Sequence, residues 1–180
     1  AYAETISATN PCGEIPLPPY GACDLGSINL TRFVREAFSR RAAFDLPALA
    51  DTAAVAARML DDVYEVSTFP LPQQAAAAKA SRRLGIGITG LADALAMLGL
   101  RYDAADGRNA ATAAMRTICE AAYAASIDLA RERGSFERFD RARYLAAPFV
   151  QRLPQGLRDG IARHGIRNSH LTAIAPAGTI

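Results

Sequence analysis

Apolar residues recur at helical spacing in two long stretches of the chain. Over residues 46–63 they step by three and four positions, and Asp45 is placed to cap the first turn, which predicts an amphipathic helix. The same period predicts a longer helix over residues 105–133, ended by Gly134. Each helix should bury one face against a shared core.

Shorter apolar segments alternate with these helices. The predicted strands cover residues 22–34 (a buried strand running into a short helix), 84–89 and 171–175. Further helices are predicted over residues 73–83 and 91–98, with one or two short helices within 140–164, broken by Pro148 and Pro154. Strands separated by helices predict an α/β fold with mostly parallel pairing.

Composition places the chain among ordinary globular proteins. It has 180 residues, of which 51% are hydrophobic and 21% charged, enough for one domain with a sizeable core. The net charge of +2 does not favour a nucleic-acid partner, and no apolar run suggests a membrane span or a signal peptide. We therefore expect a cytoplasmic protein. Because it opens on Ala1 and closes on Ile180 within a motif, the chain reads as a piece of a longer protein.

The three cysteines are expected to be reduced thiols. Cys12, Cys23 and Cys119 form no C-x-x-C pair, and the two histidines, His164 and His170, are isolated, so no metal site is predicted. Cys119 falls on the apolar side of the long predicted helix and is expected in the core. Each histidine is expected to be solvated or hydrogen-bonded in a structural role.

The most informative segment is Asn10-Pro11-Cys12-Gly13-Glu14. In an extended segment alternate side chains share a face, so Asn10, Cys12 and Glu14 would project together at a spacing of about 6.5–7 Å. Pro11 favours that geometry for the residue before it, whereas Gly13 allows a turn or a close approach to a ligand. The segment is predicted to hold an amide, a thiol and a carboxylate at a loop tip.

Three other features of the sequence have competing interpretations. Residues 85–90 match G-x-G-x-x-G but follow a basic, helical stretch instead of a hydrophobic strand, which disfavours a dinucleotide site. The pairs Arg40-Arg41 and Arg82-Arg83 are interpreted as solvated helix ends. After the last predicted strand, residues 176–180 could present backbone N–H groups and the Thr179 hydroxyl to a phosphate, or form a plain turn; the residues alone leave both open.

Four segments, in one order, resemble the catalytic subunit of ribonucleotide reductase. They are Asn10-x-Cys12-x-Glu14, residues 22–30 (ACDLGSINL), residues 83–87 (RLGIG) and residues 175–179 (APAGT). The forms NPCGE and PLPPYG look most like the adenosylcobalamin-dependent class II enzymes. The resemblance covers residues 1–180 and implies the second half of a ten-stranded α/β barrel, with residues 1–21 forming the central finger loop and its arm.

The resemblance also implies roles for individual residues. Cys12 would carry the thiyl radical that removes the ribose 3′-hydrogen, with Glu14 as general base on the 3′-hydroxyl and Asn10 bonded to the sugar hydroxyls. Cys23 would be one of the two thiols that reduce the 2′-position. Residues Ala177, Gly178, Thr179 and Ile180 would contact the substrate phosphates, although the class II pattern usually has Thr where this chain has Ala177.

The implied cofactor is adenosylcobalamin, in the full-length enzyme. The implied partners are a ribonucleotide diphosphate or triphosphate, a thiol reductant such as thioredoxin and the remainder of the reductase chain, with a homo-oligomer also compatible. The partner cysteine of Cys23 and the C-terminal recycling pair of the family are not in these residues, so we expect the isolated chain to be inactive. Two alternatives are a non-catalytic half-barrel that assembles with a separate chain and, ranked last, a nucleotide-binding oxidoreductase that uses residues 85–90.

Overall fold

The computed structural model describes residues 3–176. It opens with a small antiparallel hairpin, β1 (Ala8–Thr9) and β2 (Pro16–Leu17), so the loop or extended arm predicted for residues 1–21 contains a short hairpin. Strand β3 (Cys23–Asn29) follows and leads into a 3-10 turn (Leu30–Phe33). A second small hairpin, β4 (Val34–Arg35) with β5 (Ala43–Phe44), then delivers the chain to the first helix.

The rest of the chain is mostly helical. Its elements are α1 (Leu46–Val66), α2 (Pro72–Ser81), β6 (Arg83–Thr89), α3 (Leu91–Met97), α4 (Ala105–Arg133), α5 (Arg141–Leu145), a 3-10 turn (Val150–Arg152) and α6 (Gln155–His164). The Asp45 carboxylate accepts the backbone N–H of Ala48 at 3.2 Å, as predicted for the cap of α1. The predicted long helix is also confirmed, since α4 ends one residue before Gly134.

Strand β6 lies at the centre of the sheet. It pairs in parallel with β3 over seven residues, from Cys23 opposite Arg83 to Asn29 opposite Thr89. Residues 170–173 lie along its other edge and form backbone hydrogen bonds with it. Of these residues, Thr172 forms a parallel bridge, opposite Ile86. The strand predicted over residues 171–175 is therefore a single bridge. The strand predicted to be buried within 22–34 is only half-buried, because within residues 3–176 no strand covers the outer edge of β3 and Leu25 is 41% exposed.

The glycines of the G-x-G-x-x-G match serve packing inside β6. A Cβ on Gly85 would approach Leu25 Cδ2 to 2.3 Å, and a Cβ on Gly87 would approach the Ala173 carbonyl oxygen to 2.4 Å. Gly87 therefore requires glycine because the facing atom is backbone, whereas a side chain at Gly85 would first have to displace the partly exposed Leu25 side chain. Since the two glycines lie within the strand instead of in a turn after it, the dinucleotide interpretation has no structural basis.

Helix α1 packs against β3 and β6, and α4 packs against α1. The buried side chains of α1 are Leu49, Ala53, Ala57, Leu60, Asp61 and Tyr64, and those of α4 include Ala114, Ile118, Ala122 and Leu129. The alanines allow the two helices to approach closely. Cys119 is half-buried against this core, as predicted, and burial raises the pKa of its thiol.

A buried ion network ties α1 to the sheet. The Asp61 carboxylate accepts Arg82 Nε at 2.8 Å, Asn168 Nδ2 at 2.8 Å and Arg167 Nε at 3.3 Å. The interpretation of Arg82-Arg83 as a solvated helix end is wrong, because both side chains are buried. Arg82 ends α2 in a left-handed conformation and turns inward, where partners distant in sequence neutralise it.

We predict that Asp61→Ala strongly lowers the free energy of local unfolding where α1 packs against β6. Removing the carboxylate leaves Arg82 buried without its main counterion, which typically costs about 3–5 kcal/mol. Burial alone would raise the pKa of Asp61, but its bonds with Arg82 and Asn168 bring that pKa below its usual value. The stabilisation is therefore present above the unfolded pKa of about 4 and is lost as the pH falls through the lower folded pKa. Native-state hydrogen exchange of β6 amides in the complete protein measures both effects.

Candidate active site

The tip of the first hairpin carries Cys12. The backbone N–H of Gly13 donates to the Asn10 carbonyl at 3.1 Å, closing a turn in which Pro11 fixes the second position. Gly13 takes a φ of +86°, which glycine adopts without strain. The expectation of an extended segment is wrong, because the chain reverses direction at these residues. The predicted loop tip, with the Cys12 thiol exposed on it, is confirmed.

Asn10 is used to build this turn. Its side-chain Oδ1 accepts the backbone N–H of Ile15 at 3.0 Å, while its own N–H donates to the Ile15 carbonyl at 3.1 Å. The predicted common face of Asn10, Cys12 and Glu14 is therefore not formed as an extended strand would form it. The Asn10 amide oxygen faces back into the hairpin, which leaves the NH2 group as the donor it can offer to a ligand.

An open groove of about 530 Å³ lies beside the thiol. Cys12, Gly13 and Glu14 line it together, opposite the carboxyl end of β6 and the segment that follows residues 170–173. The other lining residues are Ile88, Thr89, Gly90, Leu91, Tyr102, Ile174, Ala175 and Pro176. Ligands of parallel α/β sheets generally bind at the carboxyl ends of strands, so the groove is where a substrate is expected.

Glu14 supplies the carboxylate of the groove. Its side chain is half-buried, and within residues 3–176 its Oε2 is a buried atom without a hydrogen-bond partner. A buried acceptor normally has a partner, and an unsatisfied one costs free energy until a donor reaches it. A hydroxyl group brought into the groove beside Cys12 would satisfy it.

Cys23 occupies the first position of β3, outside the lining of the groove. Burial raises the pKa of its thiol to about 12, against the opposing effect of Arg83, and the Asp24 and Glu14 carboxylates raise it further. The thiol is therefore protonated at neutral pH. The effect of the Glu14 charge on this thiol links Cys23 electrostatically to the carboxylate that lines the groove.

The remaining predicted residues divide into two groups. Ala177, Gly178, Thr179 and Ile180 lie outside the described residues; Pro176, the last residue described before them, lines the groove. Cys119, His164 and His170 do not line it. His170 is hydrogen-bonded, as predicted: its ring lies 2.9 Å from Ser169 Oγ and 3.2 Å from Arg83 Nη1.

Sequence reasoning missed Tyr102 and the buried arginines. Tyr102 lines the groove and is 65% exposed, but nothing in its local sequence distinguishes it from a surface tyrosine. Arg82 and Arg83 directly precede the strand predicted over residues 84–89, and Arg83 proves to be its first residue; that position was the available signal that their charges would be buried. Across residues 3–176 no group of three His, Cys, Asp or Glu side chains is placed to hold a metal ion, and no helix is both long and apolar enough to cross a bilayer.

The fold and groove define an α/β protein that presents a thiol and a carboxylate at the carboxyl end of a parallel strand. The family model of the ribonucleotide reductase barrel domain matches residues 1–180, and the chain belongs to that family. It is 44% identical over 176 residues to a vitamin B12-dependent ribonucleoside-diphosphate reductase of Mycobacterium tuberculosis, and 35% identical over 175 residues to one of Thermoplasma acidophilum.

A more distant relative is the ribonucleoside-diphosphate reductase subunit alpha of Chlamydia muridarum, which is 29% identical over 205 aligned residues. These alignments cover 97–99% of this chain but only 19–22% of the relatives. The chain thus spans about a fifth of the length of the curated proteins it matches.

Proposed function

We propose that the complete protein reduces ribonucleotides to deoxyribonucleotides and that residues 1–180 form the second half of its catalytic barrel, with residues 1–21 as finger loop and arm. The observation that carries the proposal is the joint placement of Cys12 and Glu14 on one groove at the carboxyl end of β6, in a chain of the reductase family. The two vitamin B12-dependent relatives, of Mycobacterium tuberculosis and Thermoplasma acidophilum, are named as ribonucleoside-diphosphate reductases, which supports the same reaction.

In this proposal Cys12 is the radical carrier. Its exposed position at the tip of a turn lets sulfur approach a sugar in the groove without moving the sheet. As a thiyl radical it takes the hydrogen atom from C3′ of the ribose, and at the end of the reaction it returns that atom. Glu14 accepts the 3′-hydroxyl proton through Oε2, which has no hydrogen-bond partner among residues 3–176. Asn10 does not itself line the groove, and we propose that its NH2 group reaches a sugar hydroxyl from beside Cys12.

Cys23 supplies reducing equivalents. The protonated state set by its raised pKa provides the proton with which the 2′-hydroxyl leaves as water. The reaction balances as one ribonucleotide and two thiols giving one deoxyribonucleotide, one disulfide and one water. The second thiol belongs to a cysteine outside these residues, and a thiol reductant such as thioredoxin regenerates the pair. Backbone N–H groups of residues 177–180 are proposed to bind the phosphates.

The cofactor proposed for the complete protein is adenosylcobalamin, because two of the relatives are named as vitamin B12-dependent. The residues described here do not form its site by themselves. The groove beside Cys12 is open, and neither His164 nor His170 lines it to offer an imidazole to cobalt. No step of the mechanism is therefore derived through this group.

The proposal is tested by assaying deoxynucleotide formation with the complete protein, a ribonucleoside diphosphate or triphosphate and a dithiol, with and without adenosylcobalamin. We expect product only when the cofactor is present. If the complete protein forms none with either substrate while it binds the nucleotide, the non-catalytic half-barrel becomes the better interpretation.

We also predict that the isolated 180-residue chain forms no deoxynucleotide under the same conditions. The edge of β3 that no strand of residues 3–176 covers favours self-association, the Cys12 groove is open to water, and Cys23 lacks the partner thiol that the mechanism requires. The assay is run beside size-exclusion chromatography of the purified chain. Sustained turnover by a monomer of this chain would contradict the half-barrel assignment.

A further inference from the structure

The base of the Cys12 hairpin is fastened to the sheet by a buried ion pair. Arg83, the first residue of β6, pairs through Nη2 with the Glu4 carboxylate, and the two side chains are 2% and 6% exposed. The other Glu4 oxygen accepts Arg138 Nη1 at 3.0 Å. Two guanidinium groups therefore hold one carboxylate, which lies only a few residues before β1 along the chain.

Arg83 is itself held firmly. Its backbone carbonyl accepts the Tyr64 hydroxyl at 2.6 Å, and its Nη1 lies 3.2 Å from His170 Nδ1. In the parallel ladder Arg83 stands directly opposite Cys23. The same residue thus contacts the arm that leads to Cys12 and pairs with the strand that begins at Cys23.

The hairpin needs such an anchor. Strands β1 and β2 have two residues each, and the Cys12 turn is exposed, so few contacts of its own fix its orientation. The second leg is held because Ile15 and Pro18 are buried and the chain continues into β3. On the first leg, residues 5–9 are all exposed, and Glu4 is the residue of that leg that reaches the buried interior.

We propose that the Glu4–Arg83 pair is a positioning clamp that sets the Cys12 hairpin against the strand carrying Cys23. Buried ion pairs add little net stability compared with apolar residues, but they accept only a narrow geometry. Arg83 also opposes the effect of burial on the pKa of Cys23, so it acts on the second thiol as well as on the arm of the first. Glu4 and Arg83 are positioning residues and do not touch the substrate.

The effect of the clamp on catalysis rests on the proposed function, whereas its effect on the orientation of the Cys12 hairpin does not. If the clamp orients the hairpin, loosening it displaces Cys12 from its target while the nucleotide-binding residues elsewhere in the groove remain. Small displacements of reacting groups can lower the rate by about 100-fold. The expected signature is a fall in kcat that exceeds any change in KM.

The test compares Glu4→Gln with Glu4→Asp in the complete protein. The glutamine variant keeps the shape but removes the charge, whereas the aspartate variant keeps the charge. The matched control is Glu132→Gln, which breaks the half-exposed pair with Arg58 that joins α1 to α4. Each variant is measured by hydrogen exchange of residues 5–17 and of β6, and by kcat and KM for the ribonucleotide.

For Glu4→Gln we expect the largest increase in exchange in residues 5–17, a smaller increase at the start of β6, where Arg83 loses its counterion, and a fall in kcat of about 10- to 100-fold. Glu4→Asp should recover part of both effects, and Glu132→Gln should show neither. Unchanged hairpin exchange in Glu4→Gln overturns the clamp, and faster exchange with parental kcat overturns its role in positioning. If Glu4→Gln accelerates exchange throughout the protein, Glu4→Asp decides: partial or full recovery of both parental exchange and parental kcat supports the clamp, and faster exchange throughout the protein in Glu4→Asp as well overturns it. Failure of the proposed function shows separately, as turnover that persists without the Cys12 thiol.

Discussion

Replacing Cys12 with serine in the complete protein should abolish ribonucleotide reduction while the fold remains intact. The residue is exposed at the tip of a turn, and oxygen is close to sulfur in shape, so the substitution disturbs no packing. The O–H bond is stronger than the S–H bond, however, and an alcohol does not serve as a reversible hydrogen-atom carrier. We expect deoxynucleotide formation to fall at least about 10³-fold, the scale on which losing an essential catalytic group acts.

The measurement is product yield, with nucleotide affinity as the control for folding. Since the rest of the groove is untouched, Cys12→Ser should bind the ribonucleotide as the parent does. A serine variant that retains turnover near the parental rate would remove Cys12 from the mechanism. It would also leave Glu14 without a radical partner in the groove, so the proposed roles of both residues would have to be withdrawn.

Most of the helices could be predicted because their signals are local. The bounds of α4 follow from its apolar period and from Gly134, and the start of α1 follows from Asp45. The parallel α/β class follows from the alternation of elements, and the family follows from short motifs in one order. These features depend on neighbouring residues and can be read without knowing what lies across the core.

The errors arose where distant residues decide the structure. Arg82 and Arg83 are buried because Asp61 and Glu4, 21 and 79 positions away, neutralise them, and no local pattern indicates those pairs. The alternation around Cys12 suggested a strand, but the turn at Pro11 and Gly13 and the Asn10–Ile15 hydrogen bonds bend the chain into a hairpin tip. The half-exposed state of β3 depends on which strands lie beside it, and a local pattern does not contain that information.

The two remaining cysteines give a matched comparison. Burial raises the pKa of both thiols, and each is half-buried, so simple accessibility does not distinguish them. Their surroundings differ. The pKa of Cys23 is influenced by the charges of Arg83 and of Glu14 in the groove, whereas Cys119 packs against the core on α4, where burial and the Glu120 carboxylate raise the pKa of its thiol. Only Cys23 is therefore expected to take part in the chemistry.

We expect Cys23→Ser to stop turnover with a thiol reductant, lowering product yield by about 100-fold or more, because a hydroxyl cannot form the disulfide that balances the reduction. The radical step at Cys12 should survive, and because the reaction then stalls before the hydrogen atom is returned to C3′, tritium taken from the 3′-position should exchange from the Cys12 sulfur into water. Cys119→Ala should cost at most about 1–3 kcal/mol of stability through a small packing defect and leave product yield near the parental value. Equal loss of product in the two variants would mean that the reducing thiol has been assigned to the wrong residue. Loss of tritium release in Cys23→Ser would instead place this thiol in the radical step, ahead of the reduction proposed for it.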